Sequence, residues 1–147
     1  MQFSESLIAT AASIFEAANG RTLDDWENSE IERHGLRGVD LNWLSGELMR
    51  WIVSEEKDVL PVRAVAYWAL GKKFDSSLLP FFRKQLAVEL ARDTHAVYQI
   101  MIALDNLNER VFSDGRGGSY SSDEHELNSS DSARYLEAEF TARQTKD

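Results

Sequence analysis

The chain has 147 residues, 43% of them apolar, and a net charge of −9. This length buries roughly two-thirds of the unfolded surface in a single domain without staples, and the apolar content excludes a disordered tail. Absence of cysteine excludes disulfides, thiol catalysis and thiolate metal sites, and the excess of carboxylates argues against nucleic acid as a direct partner, since phosphate recognition needs clustered Lys and Arg.

Helix punctuation recurs along the chain. Leu7, Ile8, Ala11, Ala12, Ile14, Phe15 and Ala18 repeat at helical spacing, and Asn19-Gly20 supplies a left-handed stop. Thr22-Leu23-Asp24-Asp25 resembles a capping box that opens a second helix reaching about Arg33, after which Gly35 and Gly38 break the chain. Asp40 is a good N-cap for a third helix with Leu41, Leu44, Leu48, Trp51 and Ile52 in one stripe, ending in Glu55-Glu56-Lys57-Asp58. Pro61 suits the first turn of a fourth helix, running to about Lys73, with Val62, Val65, Ala66, Ala69 and Leu70 facing inward. Asp75-Ser76-Ser77 caps a fifth helix to about Ala91, and Asp93-Thr94 caps a sixth with the stripe Val97, Ile100, Met101, Leu104 and Leu107. Short gaps between these helices predict antiparallel neighbours. Residues 113–131 are rich in Gly, Ser and acid and read as a mobile loop. A last helix over 132–143 presents Ala133, Leu136 and Phe140. No stretch shows the period-two alternation of a strand.

The expected fold is therefore all-α, with six to seven antiparallel helices in a single domain over 1–147. Its parts differ in charge. Residues 1–58 hold 5 basic and 12 acidic side chains, net −7; residues 59–112 hold 7 and 5, net +2; residues 113–147 hold 4 and 8, net −4. The start, Met1-Gln2-Phe3-Ser4-Glu5, lacks the basic and apolar regions of a secretory signal. No charge-free stretch nears the roughly 18 residues of a membrane helix. The cytoplasm is the expected compartment, with no membrane partner.

The segment Pro61-Val62-Arg63-Ala64-Val65-Ala66-Tyr67-Trp68-Ala69-Leu70-Gly71, followed by Asp75-Ser76-Ser77-Leu78-Leu79-Pro80-Phe81-Phe82, resembles a HEAT-type repeat. There, an inner helix with a "VR-A-A-ALG" pattern precedes an outer helix opened by "D-…-LLP-L". A shift of 34 residues brings Ala69-Leu70 onto Ala103-Leu104. The match covers about 59–110; the second copy lacks the early Arg and has Asp105 where the pattern puts Gly. The resemblance implies a HEAT-like stack, in which each helix pair buries a face that it cannot bury alone.

Catalytic patterns are missing. His34, His95 and His125 fall in no spaced metal motif, Gly115-Arg116-Gly117-Gly118 lacks the strand and Lys-Ser or Lys-Thr of a phosphate loop, and no Ser sits in a nucleophile elbow. Neither enzymatic activity nor a cofactor or metal is expected. Trp26 and Trp43 are more informative. Asp24, Asp25, Glu27 and Glu30 surround the first and Asp40 and Glu47 the second, while Asp123, Glu124 and Glu126 extend the acidic set. Aromatics amid carboxylates suit a hot spot for a basic partner, or else both rings close a small N-terminal core. A small, acidic, cysteine-free, HEAT-like chain is similar in type to bacterial toxin-immunity proteins. That resemblance implies a protein-binding inhibitor of a cognate toxin, its acidic surface masking a basic, nuclease-type domain. The alternative is a HEAT-like scaffold or adaptor subunit whose partner contacts the near-neutral middle.

Overall fold

The computed structural model describes residues 1–54 and 60–145. Among them all regular structure is helical, with seven α-helices, two short 3-10 turns and no strand. The acidic run at 55–58, expected to close the third helix, lies outside the described residues. No described helix is long and apolar enough to cross a membrane. The chain divides into two compact units, Met1–Phe74 and Asp75–Asp147, so the repeat-like segment is shared between them.

The first unit contains α1 (Glu5–Ala18), α2 (Asp25–Arg33), α3 (Leu41–Ser54) and α4 (Leu60–Gly71). The Ser4 hydroxyl caps α1 by accepting from the Leu7 N–H. The helix ends in a Schellman turn, with Arg21 N–H donating to Glu16 O and Gly20 N–H to Ala17 O, around Gly20 at φ +101°. Ile8, Ala11 and Phe15 of α1, Leu44, Leu48 and Ile52 of α3, and Ala66, Tyr67 and Leu70 of α4 are fully buried. Each of the larger ones contributes about 1.5–3 kcal/mol relative to exposure. Trp51 meets Phe3 edge-on at 5.8 Å, which holds it in the core as its stripe predicts. The face of α4 is turned from the expected one. Arg63 and Tyr67 are buried, and Val62 and Val65 only partly. Trp68 is also only partly buried, with Lys72 Nζ 5.3 Å over its ring.

The second unit packs α5 (Leu79–Leu90), α6 (Thr94–Asn106) and α7 (His125–Thr145) against one another. Asp93 caps α6 as expected, accepting from the His95 N–H, whereas Asp75, expected to cap α5, accepts from the Ser77 N–H and caps a 3-10 turn, Ser76–Leu78, that leads into α5. Phe82 and Leu86 of α5 meet Val97, Ile100, Met101 and Leu104 of α6 in the core. The last helix departs most from expectation. It begins at His125 rather than Ser132, and its buried stripe is Asn128, Asp131, Ser132 and Tyr135, while Ala133 and Phe140 are exposed and Leu136 is half-buried.

The cause lies in the segment expected as a mobile loop. Asp114–Arg116 forms a 3-10 turn that points Arg116 inward. Its guanidinium donates to Asn128 Oδ1 (2.8 Å) and Asp131 Oδ2 (3.1 Å) and pairs with Glu124 (2.9 Å). Phe112 and Tyr120 stack with centroids 3.7 Å apart, and the Arg116 Cζ lies 5.2 and 5.5 Å from the two rings. Asn128 also donates to Ser121 O, and the Ser113 N–H donates to Asp131. These bonds satisfy Asn128 and Asp131 in the interior, while the buried Ser132 hydroxyl has no partner, and the helix extends through them.

Candidate protein-binding surface

The acidic and aromatic residues singled out in the sequence separate into three places. The first is one end of the Met1–Phe74 unit. Ser6 Oγ donates to Glu30 and Ser13 Oγ to Glu27, which runs α2 antiparallel to α1 and sets the first turn of α2 beside the last turn of α1. Arg21 locks that junction, pairing with Glu16 at 2.8 Å and with Glu27. Asn19 Nδ2 donates to Lys72 O (3.1 Å) and Lys73 O (3.2 Å), joining the ends of α1 and α4. Lys73 Nζ in turn donates to Asn42 Oδ1 (2.7 Å) and Ser45 Oγ (3.0 Å), bringing in the first turn of α3. The opening turns of α2 and α3, and both tryptophans, therefore share this end.

Both rings are open to solvent: Trp26 is 67% and Trp43 46% exposed. Neither closes the N-terminal core. Each follows an aspartate with a second task. Asp24 and Glu27 form a reciprocal capping box, Asp24 Oδ1 accepting from the Glu27 N–H at 2.8 Å and Glu27 from the Asp24 N–H at 3.1 Å, so the box is Asp24–Glu27 and not the Thr22–Asp25 pattern. Asp40 Oδ1 accepts from the Trp43 N–H at 2.7 Å. Asp24, Asp25 and Asp40 are exposed, whereas Glu27 is half-buried. Hydrogen bonds from Arg21, the Asp24 N–H and Ser13 outweigh burial and hold the Glu27 carboxyl at about 2. Glu16, Asp24, Asp25, Glu27 and Asp40 set five carboxylates here against Arg21, Lys72 and Lys73. Phe74, 48% exposed at φ +52°, is a third open aromatic in this unit. Sequence reading missed it, although an aromatic beside two lysines just after a helix is a visible signal.

Glu30 and Glu47 lie elsewhere and are already partnered. Glu30 binds Arg33 (2.7 Å) and Ser6, with His34 at 3.6 Å, and the Arg33 hydrogen bond keeps its carboxyl below the usual range. Glu47 binds Arg50 at 2.6 Å and the chain's amino terminus at 3.6 Å. Asp123, Glu124 and Glu126 belong to the Asp75–Asp147 unit, around the start of α7. Asp123 and Glu126 are exposed, but Glu124 is paired with Arg116. The glycine-flanked Arg116 is 5% exposed at its side chain and thus closed to phosphate.

Two histidines that the sequence leaves unpaired come together: the His95 and His125 rings meet edge-to-face at 5.3 Å. Among the described residues no third ligand joins them, and no group of three His, Cys, Asp or Glu side chains could hold a metal ion. Comparison of the chain with family models, curated proteins and solved structures gives no match.

Proposed function

We propose that the chain is a protein-binding inhibitor whose acidic, indole-bearing end docks on a basic protein surface, in the manner of an immunity protein that neutralises a nuclease-type bacterial toxin. The observation that carries this reading is the pair Trp26 and Trp43, solvent-exposed at one end of the unit and framed by Asp24, Asp25 and Asp40. Large rigid aromatics supply most of the affinity of a contact when a partner desolvates them. Surrounding carboxylates steer a cationic partner and raise its association rate. A nuclease offers the complement, a cleft lined with cations for phosphate.

The test is surface plasmon resonance, which reads both rate constants, with a basic toxin nuclease domain encoded beside this chain, together with protection of cells that express it. The triple variant Asp24→Asn, Asp25→Asn, Asp40→Asn keeps both helix caps, because Asn caps as well as Asp, and removes only charge. It should slow association at least about tenfold, and Trp26→Ala should raise the dissociation rate by a similar factor. Binding that is insensitive both to the triple variant and to about 0.5 M salt, where screening is strong, would sink the proposal.

A further inference from the structure

The second unit carries a surface of the opposite character. Between the first turns of α5 and the last turns of α7 lies a groove of about 400 Å³, its apolar wall formed by Pro80, Leu136 and Phe140 and its edges by Lys84, Arg83 and Arg143. Phe140 is 63% exposed. It is left outside because α7 buries its polar stripe on Arg116, not because the interior lacks apolar residues. The one carboxylate on the rim, Glu139, lies 3.5 Å from Arg83, and Arg83 is further held by Tyr135 and Glu109. Lys84 and Arg143 are exposed. In a chain of net charge −9, a local excess of cations flanking an apolar trough is the reverse of the background.

We infer that this groove is a docking site for an acidic amphipathic helix of another protein, whose apolar side chains lie on Leu136 and Phe140 while its carboxylates reach Lys84 and Arg143. The match is one of charge and shape. An apolar trough between two helices takes the apolar stripe of a third, and cations on the rim select acidic flanks over basic ones. The site is independent of the indole-bearing end and its partner has the opposite charge.

The probe is a fluorescein-labelled synthetic 16-residue helix with Leu and Trp at i, i+3, i+4 and i+7 and Glu on both flanks, titrated against the full chain and read by anisotropy. A second peptide carries Lys in place of every Glu. The Glu peptide should bind at least about tenfold more tightly than the Lys peptide. Phe140→Ala should weaken it about tenfold, the double variant Lys84→Glu, Arg143→Glu should reverse the preference, and Trp26→Ala should leave it unchanged. These are exposed positions, so unchanged circular dichroism is expected for each variant. Equal binding of both peptides, no binding, or indifference to Phe140→Ala overturns the inference. So does concentration-dependent dimerisation abolished by Phe140→Ala in sedimentation, which would assign the groove to a second copy.

Discussion

Arg116 offers the most direct test of how the second unit is built. In Arg116→Ala, Asp131, 8% exposed at its side chain, keeps the Ser113 N–H, and its nearest remaining cation is Arg134 at 4.0 Å. Asn128 Oδ1 loses its donor, and the stacked Phe112 and Tyr120 lose the cation beside them. Removing one partner of a buried pair costs about 3–5 kcal/mol. The remaining N–H on Asp131 argues for the lower figure, and the Glu124 pair adds little because its carboxylate is 37% exposed. The expected loss is about 3 kcal/mol, or a Tm lower by roughly 10 °C for a chain of this size. Urea unfolding followed by circular dichroism at pH 7 measures it.

The pH dependence adds a second check. Burial alone would raise the Asp131 carboxyl, but the Ser113 N–H and Arg116 outweigh it and hold it below the usual range. A depressed folded value contributes stability above the unfolded pKa, about 3.9, and that contribution fades as pH falls toward the folded value. Without Arg116 the carboxyl is buried with little compensation, its pKa rises, and it protonates earlier. The difference between the proteins should therefore be smaller at pH 4 than at pH 7. Arg116→Lys, which keeps the charge but not the fork, should fall between them. A loss below about 1 kcal/mol, or one equal at both pH values, would refute this account of the turn.

Three further outcomes follow from the same reasoning. Tyr135→Phe removes a hydroxyl that donates to Glu109 Oε1 at 2.6 Å and accepts from Arg83 Nε at 2.9 Å, and should cost about 1–3 kcal/mol in urea unfolding because both partners are charged. Asp24→Ala breaks the capping box and should cost about 1 kcal/mol, whereas Asp24→Asn should be nearly neutral. Glu27, held at about 2, should remain ionised at pH 3 in an NMR titration of the folded chain, while Arg21→Ala should return it toward the usual carboxylate range near 4.3.

Helix starts and stops were the most legible part of the fold because they are local chemistry. Asn19-Gly20, Asp40, Asp75 and Asp93 act within a few residues of themselves, and each stands where its type predicts. The inward face of α4 was not legible for a simple reason. Val62, Val65, Ala66, Trp68, Ala69 and Leu70 are spread around most of the helix, so the pattern prefers no direction strongly and packing decides. The candidate surface was half legible. Trp26 and Trp43 amid aspartates could be picked out, but their exposure, and their sharing of one end, depend on the bonds from Asn19 and Lys73 across 53 and 31 positions. The neutralisation of Glu30 and Glu47 had a visible signal in Arg33 and Arg50, each three residues on and on the same helix face.

The inversion of α7 has deeper roots. A stripe rule assumes that water is the alternative to the core for a polar residue, and that burying Asn128, Asp131 and Ser132 therefore costs free energy. Here a single guanidinium, delivered by a turn about 12 to 15 residues earlier, supplies donors to Asn128 and Asp131 and removes most of the cost at those two, leaving only the Ser132 hydroxyl of the three without a partner. Once Asn128 and Asp131 are satisfied inside, a helix has only one inward face to give, so Phe140 is displaced to the surface. The exposed groove and the buried polar stripe are thus two results of one event, the inward turn of Arg116. A sequence in which that arginine is replaced by an uncharged residue should favour rotation of α7 toward Leu136 and Phe140. Phe140 would then lose exposure, measurable as protection of a Phe140→Cys thiol from alkylation in the Arg116→Met background but not in the parent. Equal alkylation in both would separate the groove from the turn.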